Sequence, residues 1–497
     1  MTARIKIAFV IISLITACSQ QEQADLQMTV YQTSSNGDKL KIVEPKEFVS
    51  KEVIKVAIDT SKTLQEITGF GGAFTESSAY LLNEISKENR QDILNAYFGE
   101  NGARYSLTRT HMNSCDFSLN HYSYSPIEND TLLENFSIKE DMDDIIPMIN
   151  DAKAISKDGF KIVASPWTAP PWMKDNNDWN GGGLKKEWYA TWALFFSKYL
   201  EAYKKENIDI WAVTVENEPL GNDANWDSMH YTPEEMADFV KNYLGPQFEN
   251  DSIDVEVLVY DQNRGEELEE WAKVLLKDKE LSNYIYGTAV HWYTGTVNWF
   301  PESLQFTHDL APEKHILHTE GCVDSEVPHW KDDQWYWSKE ATDWGWDWAA
   351  EEDKPNHPKY VPVYRYARDI IGCMNNWVEG WIDWNMVLDT KGGPNHASNW
   401  CVAPVIVDVD KDEVYYTPLY YVMTHFSKYI RPGATRVGFE QSSDEVMLTS
   451  VKNPDGSIVV VALNMTEGRK AIELSIGTVC KTVVIDGQAI QTIVLQS

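Results

Sequence analysis

The chain predicts an α/β protein, a (β/α)8 TIM barrel with a side β-sandwich built from its N- and C-terminal segments. Three observations predict it. All twenty tryptophans lie between Trp167 and Trp400, so the middle of the chain forms a different layer from its two ends. In that middle, β-branched runs alternate with helical segments, the pattern of a parallel sheet. At both ends polar and apolar residues alternate with the period of strands.

The first residues stand apart from the fold. Arg4 and Lys6 precede the apolar run IAFVIISLI, and ITAC (15–18) has the form of a bacterial lipobox. Residues 1–17 are read as a lipoprotein signal peptide, an ordinary secretory signal being the alternative. The apolar run is too short to span a bilayer. Cys18 is the expected lipid anchor and 18–27 a polar tether, with Ser19 pointing to the outer membrane and hence to an exported protein. Residues 28–63 follow as N-terminal sandwich strands, 64–430 as the barrel and 431–497 as the C-terminal sandwich, with a hairpin turn at Pro454-Asp455-Gly456.

Eight barrel strands are expected at 69–74, 105–110, 161–167, 211–216, 255–261, 286–293, 315–320 and 379–385. Between them lie helix-like segments such as 188–206 and 232–244, the latter opening with Thr232 as N-cap and Pro233 at the first helical position. Composition excludes some partners. The net charge is −33, from 43 basic and 76 acidic residues, which argues against nucleic acid and reads as a solvated acidic surface. Six scattered cysteines give no disulfide framework, and with eleven dispersed histidines they form no metal motif, so neither a metal nor a cofactor is expected.

Two stretches carry chemistry. WAVTVENEP (211–219) and KHILHTEGC (314–322) both read as apolar strands stopping at a carboxylate, Glu218 and Glu320. They are 102 positions apart. At about 30 residues per βα unit, three units fit between them, which sets the glutamates across a barrel at its one open end. Two facing carboxyls are what glycoside hydrolysis needs, one to donate a proton and one to attack the sugar carbon or activate water. A lone strand-end glutamate would read equally well as a solvated charge.

Other residues fit around this pair. Arg109 can hold a carboxylate ionised or form a core ion pair. Asp116 can bind two sugar hydroxyls or cap a loop. Trp167 and Trp384 can face a sugar ring or fill the core. Asn217 can hold a sugar 2-hydroxyl, and Tyr293, just after His291, can donate to the nucleophile. The stretch Val323 to Tyr360 follows a barrel strand and holds Trp330, Trp335, Trp337, Trp344, Trp346 and Trp348, as an aromatic wall for sugars or a packed lid.

Taken together, ITGFGGAFTESSA (67–79), SCDFS (114–118), ASPWTAPPWMK (164–174), WAVTVENEP, VHWY (290–293), TEGC (319–322) and WIDWNMVLDTKGGPN (381–395) resemble glycoside hydrolase family 30, especially the branch containing glucosylceramidase. The resemblance runs from about Ile67 to the C-terminus. It implies a retaining β-glycosidase with Glu218 as acid/base and Glu320 as nucleophile. By the same matching, Arg109, Asp116, Trp167, Asn217, His291, Tyr293, Trp384 and Asn399 line the first sugar subsite. The family also holds β-1,6-glucanases, β-glucosidases and β-xylosidases. A lipid-tethered bacterial enzyme with extra aromatic residues fits a β-1,6-glucan better than a sphingolipid, and the membrane enters only through the anchor at Cys18. A non-catalytic glycan-binding lipoprotein is the remaining alternative, and it would be expected to lose one of the two glutamates.

Overall fold

The computed structural model describes residues 26–44, 52–221, 226–295, 297–324 and 361–496. The expected signal peptide, Cys18, and the six tryptophans between 330 and 348 lie outside the described residues. Among the described residues, no helix is long and apolar enough to cross a membrane.

Eight parallel strands close into a barrel: β1 (Gly69–Phe74), β2 (Leu107–Met112), β3 (Lys161–Pro166), β4 (Ala212–Thr214), β5 (Glu256–Asn263), β6 (Gly287–His291), β7 (His315–Glu320) and β8 (Val378–Asn385). Each pairs with its sequence neighbour, and β8 closes on β1. The helices between them are amphipathic. The segment 188–206 forms the helix Tyr189–Lys205, which buries Trp192, Phe195, Phe196, Tyr199 and Tyr203 on one side. The helix Pro233–Phe239 begins with a full capping box: Thr232 accepts from the Glu235 amide, and Glu235 accepts from the Thr232 amide.

The two chain ends meet in the β-sandwich. Gln27–Ser34 pairs antiparallel with Ala489–Gln496 along its whole length. Val53–Ile67 pairs antiparallel with Ala434–Gln441 and parallel with Lys470–Ile476. Their inward faces share one apolar core, with Val30, Val56, Val437, Val460, Ile472 and Ile493. Strand Val53–Ile67 leads through Thr68 straight into β1, so the sandwich is joined to the barrel by continuous backbone.

One strand differs from its sequence reading. The run 211–216 supplies only the three residues Ala212–Thr214 to regular pairing, and Glu218 lies four residues beyond. Its backbone is still tied down: the Asn217 amide donates to Pro166 O at 2.7 Å and the Glu218 amide to Asp261 O at 2.8 Å. Beyond the ladder, Glu218 takes a left-handed backbone (φ 49°).

β1 is glycine-rich for a steric reason. A β-carbon at Gly71 would come within 1.9 Å of Leu107 O on β2. Gly71→Ala must therefore push β1 from β2, and overpacking of this kind costs about 1–3 kcal/mol or more. The thermal midpoint of this variant should fall by several degrees in a calorimetric scan, while Gly468→Ala, where a β-carbon meets nothing within 4 Å, should fall less.

Candidate active site

The barrel interior is built in layers. Side chains two apart on a strand face the same way. Leu107, Val163, Ala212, Leu258, Ala289, Leu317 and Ile382 form one apolar layer, a residue from each of seven strands. Two positions further along come Arg109, Ser165, Thr214, His291, Thr319 and Trp384, and the interior turns polar. On β5 the same count would bring Tyr260 inward. A register shift between Tyr260 and Gln262, with both Tyr260 (φ 77°) and Asp261 (φ 62°) left-handed, sends Tyr260 out against Trp271 and brings Asp261 in. This is the use of a bulge to re-aim a side chain.

Arg109 is fully buried at the centre of this polar layer. Its Nη1 donates to Glu320 Oε2 at 2.5 Å. Its Nη2 donates to Asn217 Oδ1 and Asp261 Oδ2, both at 2.8 Å, and its Nε to Ser165 Oγ at 3.0 Å. The guanidinium carbon stands 4.7 Å from the Trp167 ring centroid and 5.6 Å from that of Trp384. Those two indoles stack at 5.2 Å. Tyr293 Oη donates to the other oxygen of Glu320 at 2.8 Å. His291 bridges Asp261 Oδ1 at 2.9 Å and Glu218 Oε1 at 3.3 Å. One carboxyl oxygen of Glu218 and one of Glu320 lie within 4.8 Å of each other and of a His291 ring nitrogen.

Asp116 completes the wall. Asn399 Nδ2 donates to its Oδ2 at 3.0 Å. Its Oδ1 is buried with no hydrogen-bond partner, a polar atom left for a ligand hydroxyl. Asn217 uses its amide oxygen on Arg109, which leaves its amide nitrogen as a donor. All ten residues singled out from the sequence thus converge on one pocket at the carboxyl ends of the strands. Asp261, Thr319 and Ser165 were missed. Asp261 ends the run VEVLVYD as Glu320 ends HILHTE, so the same strand-end signal was available for it.

The electrostatics separate the roles. Burial would push Asp261 up, but Arg109 and His291 hold it well below the usual carboxylate range. Burial would lower His291, yet the charges of Glu320 and Asp261 lift it to about 9. Burial raises Glu320, while His291, Arg109 and the Tyr293 hydroxyl all favour its ionised form. Asp116, desolvated and facing Glu320, is pushed up to about 8. Glu218, His291 and Glu320 also present three donor atoms close enough together to hold a metal ion. A second group, His121, Asp227 and His396, has the donor atoms a divalent cation could take, with His121 Nδ1 2.8 Å and His396 Nε2 3.2 Å from Asp227.

A pH dependence follows from His291. Its folded value of about 9 exceeds an unfolded value of roughly 6.5. Its stabilising contribution is therefore complete below about pH 6.5 and is lost as the pH rises through about 9. The thermal midpoint should decline across that window, and His291→Gln should flatten the decline in a differential scanning series.

Comparison with known proteins agrees with this geometry. Residues 67–430 match the glycosyl hydrolase family 30 TIM-barrel domain, and residues 433–493 match the family 30 β-sandwich domain. The chain is 36% identical over 419 residues to lysosomal acid glucosylceramidase of Mus musculus, covering 82% of this chain and 77% of the relative. It is 27% identical over 434 residues to the endo-1,6-β-D-glucanase of Neurospora crassa, covering 84% and 82%. Among solved structures, SrfJ from Salmonella typhimurium superposes with a TM-score of 0.82 at 29% identity, over 95% of this chain and all of that one. The endo-β1,6-glucanase BT3312 superposes with a TM-score of 0.79 at 28% identity, over 94% and 99%. With both domains matched and two carboxyls, Glu320 buried and Glu218 partly open, facing each other across the barrel mouth, this chain belongs to glycoside hydrolase family 30.

Proposed function

We propose that the protein hydrolyses β-linked glucosides with retention, and that β-1,6-linked glucan is its substrate. The observation that carries the mechanism is the carboxyl pair within 4.8 Å. Retaining glycosidases hold their carboxyls about 5–5.5 Å apart, whereas inverting ones leave about 6.5–9.5 Å for a water. Glu320, gripped by Arg109 and Tyr293, attacks the sugar carbon. Glu218, at the cleft surface, protonates the departing oxygen as the glycosidic bond breaks. A glycosyl ester to Glu320 results. Glu218, now ionised, takes a proton from water, whose oxygen attacks the same carbon and releases Glu320. Asn217 stands where it can bond the sugar 2-hydroxyl, and Asp116 with Asn399 faces hydroxyls further round the ring.

Glu320→Gln should abolish turnover, since an amide neither attacks nor carries the compensating charge. An activated 2-fluoroglucoside should label Glu320 in the native enzyme, and a label on any other residue would overturn the assignment. Glu218→Ala should slow a poor leaving group by about 10²–10⁴-fold and a good one far less. Azide should rescue it with a β-glycosyl azide as product.

Two observations pull the substrate in different directions. The glucanase BT3312 superposes over nearly its whole length, which supports the glucan. The higher identity to a glucosylceramidase supports a glucosyl lipid. The lipobox at 15–18 supports export and anchoring beside extracellular glycan. Purified enzyme offered pustulan, laminarin, xylan and glucosylceramide should release sugar fastest from pustulan. Fastest release from glucosylceramide would replace the glucan and leave the mechanism standing. Incorporation of labelled palmitate, lost in Cys18→Ser, would test the anchor.

A further inference from the structure

Two thiols meet beside the nucleophile. Cys322 is two residues past Glu320, and Cys401 is two residues past Asn399. Both are buried, and both are thiols in this structure. Their sulfurs are 3.0 Å apart. That is only about 1 Å beyond the S–S bond length of roughly 2.05 Å. The backbone already holds the two segments together: Val323–Asp324 pairs antiparallel with Cys401–Val402, with Asp324 opposite Cys401. The sulfurs lie in a small apolar cluster with Trp167, Trp384, Phe117 and Cys115. Cys322 Sγ is also 3.5 Å from Tyr293 Oη, the group that donates to Glu320. The other two described thiols differ: Cys115 Sγ lies against Ser118 Oγ at 3.8 Å, and Cys373 Sγ is held between Arg264 and Asp369.

We propose that Cys322 and Cys401 are a redox modification site, forming a disulfide that staples the nucleophile segment to the segment bearing Asn399. The oxidant is a small disulfide or a disulfide-carrying oxidoreductase. One cysteine thiolate attacks a sulfur of the oxidant and expels one of its thiolates, leaving a mixed disulfide. The second cysteine thiolate attacks the protein sulfur of that bond. The Cys322–Cys401 bond forms, the other oxidant thiolate leaves, and the two protons lost by the cysteines pass to the two released thiols. Burial of both sulfurs places this exchange during folding, before the pocket closes over them. The bond encloses the chain between β7 and Asn399, including β8, and fixes how far Glu320 stands from the Asn399–Asp116 pair.

The test uses the full chain, reduced, unfolded and refolded with glutathione disulfide, then alkylated under denaturing conditions and digested without reductant. A peptide joining Cys322 to Cys401 is expected, with Cys115 and Cys373 alkylated. Full alkylation of Cys322 and Cys401 after oxidative refolding would overturn the proposal. A second readout is thermal. Reductant should lower the midpoint of the refolded protein by about 5 °C, by the usual effect of a disulfide that closes a long loop. In Cys401→Val this drop should vanish, leaving only the response of the disulfide that Cys480 already makes. An equal response in that variant would assign the effect to another bond and remove the stapling role.

Discussion

The site depends on one buried cation. Arg109 has no contact with solvent and has three carboxyl or amide oxygens within 2.8 Å. Removing a guanidinium from water is expensive, and it is tolerated only where geometry and further hydrogen bonds compensate fully. Here the compensation comes from β3, β5, β7 and the segment after β4, and one of the partners, Glu320, belongs to the facing carboxyl pair. Asp261 neutralises the charge permanently. Glu320 does so while keeping its second oxygen for Tyr293 and the substrate. The indoles of Trp167 and Trp384 cover the guanidinium from one side, adding a favourable face to the cation and excluding water. Arg109 thus favours an ionised Glu320 and fixes its position through the same contact.

That arrangement rests on irregularities of the barrel. In a perfectly regular β5, Tyr260 would face the interior and Arg109 would lose its permanent counter-charge. The β5 bulge exchanges the two residues. A similar register shift between His318 and Glu320 on β7 lets Thr319 donate to Asp261 Oδ1 at 2.5 Å while Glu320 still reaches Arg109. The apolar layer below, from Leu107 to Ile382, is closely buried and gives these distortions a base. Layers and bulges divide the work, one supplying stability and the other aim.

Much of this was legible in the chain. β-Branched runs ending on polar residues located the barrel strands to within a few residues, because a parallel strand buried on both faces has a composition of its own. The two glutamates stood out because each ends such a run. Asp261 ends one too and carries the same signal, but its inward aim depends on the bulge. The pair Glu216 and Glu218 shows another boundary. Two glutamates separated by one residue look alike on paper. In the fold, Glu216 is fully buried and driven toward its neutral form by desolvation, while Glu218 is the one open to the cleft beside His291. The early end of β4 was hidden because Val213, Thr214 and Val215 all favour a strand, and the turn that stops it is imposed by tertiary contacts.

The left-handed backbone of Glu218 has an evolutionary meaning. For a residue with a β-carbon that conformation is disfavoured by roughly 1–2 kcal/mol, and glycine adopts it freely. Local preference at this position therefore runs toward a residue with no side chain, which would leave the barrel intact and the chemistry gone. Mutation toward greater robustness and selection for turnover pull in opposite directions on a single codon. On the role proposed above for Glu218, a glutamate persists there only as long as hydrolysis is selected, so in a lineage released from that demand this is a position where decay should begin early.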